Sequence, residues 1–86
     1  MLDKTSLYNL SDIQEALMNR TIIEVYEALN EKGYNATSQL VGYLITGDAG
    51  YITNYKNARN KITEYDRAKI LEAILKDFVD KNIWDI

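Results

Sequence analysis

"EKGYNATSQLVGYLITGDAGY", Glu31 to Tyr51, holds all four glycines of the chain, and its reading decides how the protein folds. Lys32 and Gly33 carry the marks of a helix end. A cation there suits the negative pole of the dipole, and a glycine at C′ takes the left-handed conformation without penalty. Asn35 offers a side-chain acceptor to cap a second helix, and Gly47 stops that helix as Gly33 stops the first. Gly42 falls mid-helix, where it costs on the order of 1 kcal/mol relative to Ala. Close approach of another helix is the compensation expected there. Asp48 then caps a short turn that Gly50 eases. The segment reads as a joint: two helix ends, one close-packing site and one tight turn. As a phosphate cradle, Gly47 and Gly50 fall short, with no strand before them and no Lys-Ser/Thr pair after them.

Upstream of the joint, Ser11 and Gln14 form an S-x-x-Q capping box, so a first helix is expected from Ser11. Met18, Ile22, Val25, Tyr26 and Leu29 then fall on one side at helical spacing, with Ile13, Ala16 and Ile23 roughly opposite. In a chain of 86 residues, a helix with two apolar flanks needs two neighbours, which points to a dimer. In the second helix Leu40, Val41 and Leu44 are the expected buried stripe. Downstream, a third helical piece covers residues 56–64, with Ala58 and Ile62 inward. Asp66 is placed to cap a last long helix. There Ile70, Ile74 and Phe78, with Leu71, Leu75 and Val79, give a wide apolar face. Trp84 adds a large apolar group near the end. Residues 1–10 mix charges and hydroxyls without helical period and read as an extended arm, with Leu7, Tyr8 and Leu10 toward the core. No strand pattern and no repeat occurs. The expected architecture is all-α, a compact homodimeric bundle of about four to five short helices. Residues 1–10 form the arm and residues 11–86 a single dimerising domain.

Composition narrows the chemistry. The chain has no cysteine and no histidine, so disulfides, thiolate metal sites and the commonest general base are absent. Apolar residues make up 47% and charged residues 27%, as in ordinary folded domains. The net charge of −3 gives no global attraction to nucleic acid or an anionic membrane. The chain carries neither a run of about 18 apolar residues nor a signal-peptide core near its start, so a cytoplasmic protein is expected. Carboxylates such as Asp77 and Asp80 sit on a charged helix face where solvation is their usual role. Neither an enzyme, a metal site nor a cofactor site is expected.

Two readings of the basic residues compete. Residues 39–62 could form a helix-turn-helix-like unit, with Lys56, Arg59 and Lys61 toward a duplex and Tyr51 and Tyr55 adding backbone contacts. The acidity of the whole chain counts against a nucleic-acid-binding regulator of this kind, because phosphate contacts dominate such affinity. Arg59, alternatively, either bridges to Asp48, Glu64 or Asp66, or presents its planar five-donor group to a partner's carboxylate or phosphate. Thr5 and Ser6 are hydroxyls in an arm that a modifying enzyme can reach.

"VYEALNEKGYNATSQLVGYLITGDAGYITNYKNARNKI", followed by "YDRAKILEAILKDFV", resembles the IreB/ReoM family of small regulatory phosphoproteins of Gram-positive bacteria. The likeness runs from about Thr5 to Val79 through E-K-G-Y-N, Q-[IL]-V-G-Y, S/T-G-D and A-R-x-x-I. It implies an all-α homodimer whose N-terminal threonine is phosphorylated by a membrane Ser/Thr kinase with PASTA repeats. A PP2C-type phosphatase reverses the modification. The implied process is peptidoglycan synthesis, controlled through Clp-protease degradation of the UDP-N-acetylglucosamine enolpyruvyl transferase. The family arm pattern T-x-x-[FY]-x-[LF] falls on Thr5, Tyr8 and Leu10, and the family arginines fall on Arg59 and Arg67. With Lys56 and Lys61 these make the partner-binding patch that the resemblance suggests. The chain departs from the pattern at three places. Asn35-Ala36 stands for Asn-Pro, "DAGY" for D-P-A-Y, and Thr53-Asn54 for a Pro-Arg pair.

Overall fold

The computed structural model describes residues 10–83, with only the backbone of Ser11 included. The described elements are helices α1 (Leu10–Glu31), α2 (Ala36–Thr46), α3 (Ala58–Thr63) and α4 (Arg67–Ile83), with two 3₁₀ turns, Ala49–Tyr51 and Tyr55–Asn57, between α2 and α3. Among the described residues there is no strand. α1 is the axis of the molecule, and α2, α3, α4 and the second 3₁₀ turn all pack on it.

α1 has neither Gly nor Pro in its span, and nine of its 22 residues are Leu, Ala or Glu, all favourable in a helix. It is already helical at Leu10, so Ser11 lies inside it. The capping box expected at Ser11 therefore does not mark the start. The end is as expected. Gly33 has φ +89°, its N–H donates to Asn30 O at 3.0 Å and that of Tyr34 to Leu29 O at 3.0 Å. This pair of bonds satisfies two carbonyls that the helix leaves open.

Asn35 caps α2, its Oδ1 accepting from Ser38 N at 3.0 Å. Gly47 closes it with φ 76° and an N–H bond to Tyr43 O. The buried side of α2 is Ala36 and Tyr43, with Leu40 and Leu44 half-buried, whereas Val41 is exposed. The expected stripe of Leu40, Val41 and Leu44 is thus rotated by about one residue. The nearest neighbour of Gly42 among the described residues is not one of the α-helices. A Cβ built there would lie 2.5 Å from Cδ1 of Tyr51, so the close approach belongs to an aromatic ring of the following turn. That turn is held by Asp48, whose Oδ1 accepts from Gly50 N at 2.8 Å.

The link from α2 to α3 occupies residues 47–57. It is longer than the three- to four-residue turn (roughly) of a helix-turn-helix, so α2 and α3 do not form that unit. Gln39 ties the link to α2, its Nε2 donating to Thr53 Oγ1 at 3.1 Å and its Oε1 accepting from Thr53 N at 2.9 Å. A proline in place of Thr53 lacks the N–H that makes the second bond. The third helix is shorter than the span 56–64 expected. Tyr55–Asn57 is a separate 3₁₀ turn in which Lys56 and Asn57 have φ of 51° and 64°.

The core joins Val25 and Leu29 of α1 to Ile52, Ala58, Ile62 and Ile70. Full burial of each large aliphatic group contributes roughly 1.5–3 kcal/mol. α4 adds only Ile70 and Ala73 to the buried set. Of the wide apolar face expected on α4, Leu71, Ile74, Leu75 and Phe78 are exposed within one copy, Leu75 at 63% and Phe78 at 62%. Thr5, Ser6, Leu7, Tyr8 and Trp84 lie outside the described residues.

Candidate functional site

The basic residues singled out in the sequence surround the glycine joint, and three of the four have specific partners. Arg67, at the start of α4, donates from Nη1 to the carbonyl of Leu44 at 3.0 Å. Its guanidinium lies against Gly47, where a Cβ would come within 2.8 Å of Cζ. A cation on the last turn of α2 satisfies an open carbonyl and favours the negative helix end. The glycine at position 47 thus serves two needs, a left-handed backbone and room for this guanidinium.

Arg59, in the first turn of α3, donates from Nε to the carbonyl of Ile52 at 2.8 Å. Of the two alternatives for Arg59, the salt bridge to Asp48, Glu64 or Asp66 does not form. Binding through Nε fixes the plane of the guanidinium. It leaves the two terminal nitrogens without a further bond among the described residues. The group is therefore held ready to present a two-pronged donor edge.

Lys56 pairs with Glu31 across the C-terminus of α1, Nζ to Oε2 at 2.8 Å, both side chains about half exposed. Tyr55 lies between the two chains, its hydroxyl donating to Glu31 Oε1 at 3.3 Å. Lys32 and Lys56 sit 5.1 and 5.6 Å from the Tyr55 ring centre, within cation–π range. The hydrogen bond and the charge of Lys56 hold the Glu31 carboxyl below its ordinary value, with Tyr55 adding to the effect. The same pair pushes the Lys56 ammonium up. Lys61 is half-buried. Two residues from Arg59 on α3, it does not share a face with that arginine. The cations named from the sequence thus have different partners within the chain. Arg59, Arg67 and the pair Lys56–Glu31 each lock a different side of the joint.

Glu31, Gln39 and Thr53 also hold the joint and were not singled out as site residues by their sequence, and Tyr51, named there only as a backbone contact to a duplex, packs on Gly42. Each acts on a residue or backbone group at least nine positions away or on a ring packed against a helix, for which no short motif exists. Thr5, the candidate phosphoacceptor, lies outside the described residues. Among those residues there is no group of three or more side chains suited to holding a metal ion, and no helix is long and apolar enough to cross a membrane.

Ala58 and Ile62 of the A-R-x-x-I motif are both fully buried under α1, so the motif joins core positions to the clamped Arg59. Residues 3–80 match the IreB regulatory phosphoprotein family. The chain belongs to the IreB family. The match spans all of the glycine joint, α1 through α3 and most of α4, and the role it gives the chain is that of a regulatory phosphoprotein.

Proposed function

We propose that this IreB-family chain is a non-enzymatic, cytoplasmic signalling adaptor that works as a homodimer and is switched by phosphorylation of Thr5. The kinase is a membrane Ser/Thr kinase with PASTA repeats and the opposing enzyme a PP2C-type phosphatase. The output is control of peptidoglycan synthesis through Clp-dependent turnover of the UDP-N-acetylglucosamine enolpyruvyl transferase. The observation that carries the reading is the family match over residues 3–80, which takes in Thr5 as well as the helical body.

Two structural features support it. Ile22, Ile23, Ala73 and Ile74, with Asn19, Asp77 and Lys81, line a groove of about 330 Å³ on one side of the α1–α4 seam, and Leu71, Leu75 and Phe78 of α4 are exposed as well. An exposed apolar face of this kind on a small chain is what a second copy would cover. Arg59, anchored through Nε, supplies a directed donor edge suited to an acidic group of the partner protein.

The test has two parts. Incubation with the kinase followed by mass spectrometry should place one phosphate on Thr5 and none on Thr5→Ala. Affinity capture with wild type, Thr5→Ala and Arg59→Ala, each first shown to melt cooperatively, should then differ. Loss of the arginine edge is expected to weaken partner binding roughly 10- to 100-fold, the scale of one charge-assisted contact. A folded Arg59→Ala that binds and responds to the kinase like wild type would remove Arg59 from the partner surface.

A further inference from the structure

The α1–α4 seam has a second side, and its charge is different: the lining of the first is balanced by the Asp77–Lys81 pair, that of the second is not. Opposite the first groove, across Ala73, lies a cleft of about 490 Å³ between the first turns of α1 and the α3–α4 junction. That volume is in the range of roughly 300–1,000 Å³ typical of binding clefts. Met18 and Ala73, both buried, lie at its base. Tyr65 stands at one wall, its hydroxyl accepting from Thr21 Oγ1 at 3.4 Å. Its charged lining is unbalanced. Lys76 pairs with Glu15 at 3.5 Å and Lys69 with Glu72 at 3.7 Å, which leaves Glu64 and Asp66 as uncompensated negative charge on the rim. The cleft thus combines an apolar base with an acidic lip.

We propose that this cleft is the seat of the chain's own unphosphorylated arm, residues 4–9, and that phosphate on Thr5 expels it. The second half of the proposal rests on the reading of Thr5 as phosphoacceptor. Where the arm begins is decisive. It joins α1 at Leu10, and Gln14, Glu15 and Met18, one to two turns further along, already line the cleft. Met18 is about 12 Å from Leu10 along the helix axis, whereas the five bonds back to Thr5 reach about 17 Å when extended. The chemistry also matches. Lys4-Thr5-Ser6-Leu7-Tyr8-Asn9 carries a single charge, a cation, for the acidic lip. Leu7 and Tyr8 are its apolar groups for the base. A phosphate adds about −1.5 to −2 charges beside that lip and turns residues 4–9, which follow the carboxylate of Asp3, from net positive to net negative. The cleft lies on the other side of Ala73 from the face assigned to the second copy, so dimerisation leaves it open.

The chain has no cysteine, so Ser6→Cys accepts a single nitroxide label on the full-length protein. In the unmodified protein, signals of Met18, Tyr65 and Ala73 should be broadened by the label, with those of Lys61 and Val41 unaffected. Glu64→Lys should reduce the broadening at least twofold. Phosphothreonine placed at position 5 by peptide ligation should abolish it. Because that phosphate is installed chemically, failure of the kinase to modify Thr5 would defeat the phosphoacceptor reading without touching the seat. Absence of broadening at the cleft in the unmodified protein would overturn the seat. Broadening that persists with phosphothreonine would overturn the expulsion. Broadening found only between labelled and unlabelled copies mixed together would show the arm crossing to a partner and would overturn the proposal as stated.

Discussion

Gly33 and Gly47 both have positive φ, yet the two positions ask different things of a substitution. A Cβ at Gly33 meets open space, while one at Gly47 strikes the Arg67 guanidinium. Gly33→Ala should therefore cost only the backbone penalty, about 1 kcal/mol. Gly47→Ala should cost that and in addition the part of the solvent-exposed Arg67–Leu44 bond that the displaced guanidinium does not re-form, up to about 1 kcal/mol. In an Arg67→Ala background the penalty at position 47 should fall to that at 33, and a double-mutant cycle of urea melts reads the difference. Lys56 and Asn57 stay left-handed without being glycine. Asn tolerates this region but Lys does not. Lys56→Gly should be more stable than Lys56→Met by about 1 kcal/mol, since both lose the ion pair and only one relieves the backbone. The ion pair itself sets a pH window. The lowered Glu31 pKa contributes stability that is present above the ordinary carboxylate range and lost as pH falls through the lowered value. The raised Lys56 pKa contributes stability present below the ordinary lysine range and lost as pH rises through the raised value. Across neutral pH the pair is therefore constant, and its exposure keeps the contribution small. An NMR titration of the Glu31 carboxyl should show its midpoint rising toward the ordinary range in Lys56→Met, the Tyr55 hydrogen bond and the Lys32 charge remaining. At this scale the sequence was most readable where a residue acts on its own backbone. Asn35, Gly33, Gly47 and Asp48 all follow from local stereochemistry. Arg59 and Arg67 were found as cations but not as carbonyl clamps, because Ile52 and Leu44 reach them only through the fold.

Among the elements, α2 and the turn after it behave as one unit because the Tyr51 ring lies on Gly42. A glycine inside a helix normally gains about 1 kcal/mol on conversion to alanine. Here Gly42→Ala should instead destabilise, since the clash reaches Cγ of Tyr51 and the whole ring must swing away. Coupled to Tyr51→Ala the same change should turn stabilising, and thermal melts of the two single variants and the double variant decide it. The helices themselves were legible from periodicity, and Ala58 and Ile62 were placed inward as they are. What periodicity could not supply was the angular phase of α2 or the outward face of α4. An apolar stripe predicts that a face will be covered, and by itself does not say whether the same chain covers it. The lost prolines illustrate a related limit. Thr53 takes up a hydrogen bond with Gln39 that the family's proline cannot make, so a departure that looks like loosening in the sequence has a specific compensation in the fold.

For the whole molecule, the exposed face of α4 makes the oligomeric state the informative measurement. Light scattering at tens of micromolar should return the dimer mass for the wild type, and Leu75→Glu with Phe78→Glu should return the monomer. A monomer mass for the wild type would remove the second copy from the proposed function. The same face has a consequence for the stability of α4. Within one copy that helix is anchored by Ile70 and Ala73 near its start, and beyond Ala73 its apolar groups other than the half-buried Val79 are left largely to solvent. Its distal turns have little to resist local opening when the copy is alone. Their backbone amides should then exchange with deuterium quickly in dilute protein and slowly in concentrated protein, while those of α1 hold steady. Dilution would thus loosen one end of the molecule before the rest, and the amount of the protein present would set the order of its own last helix.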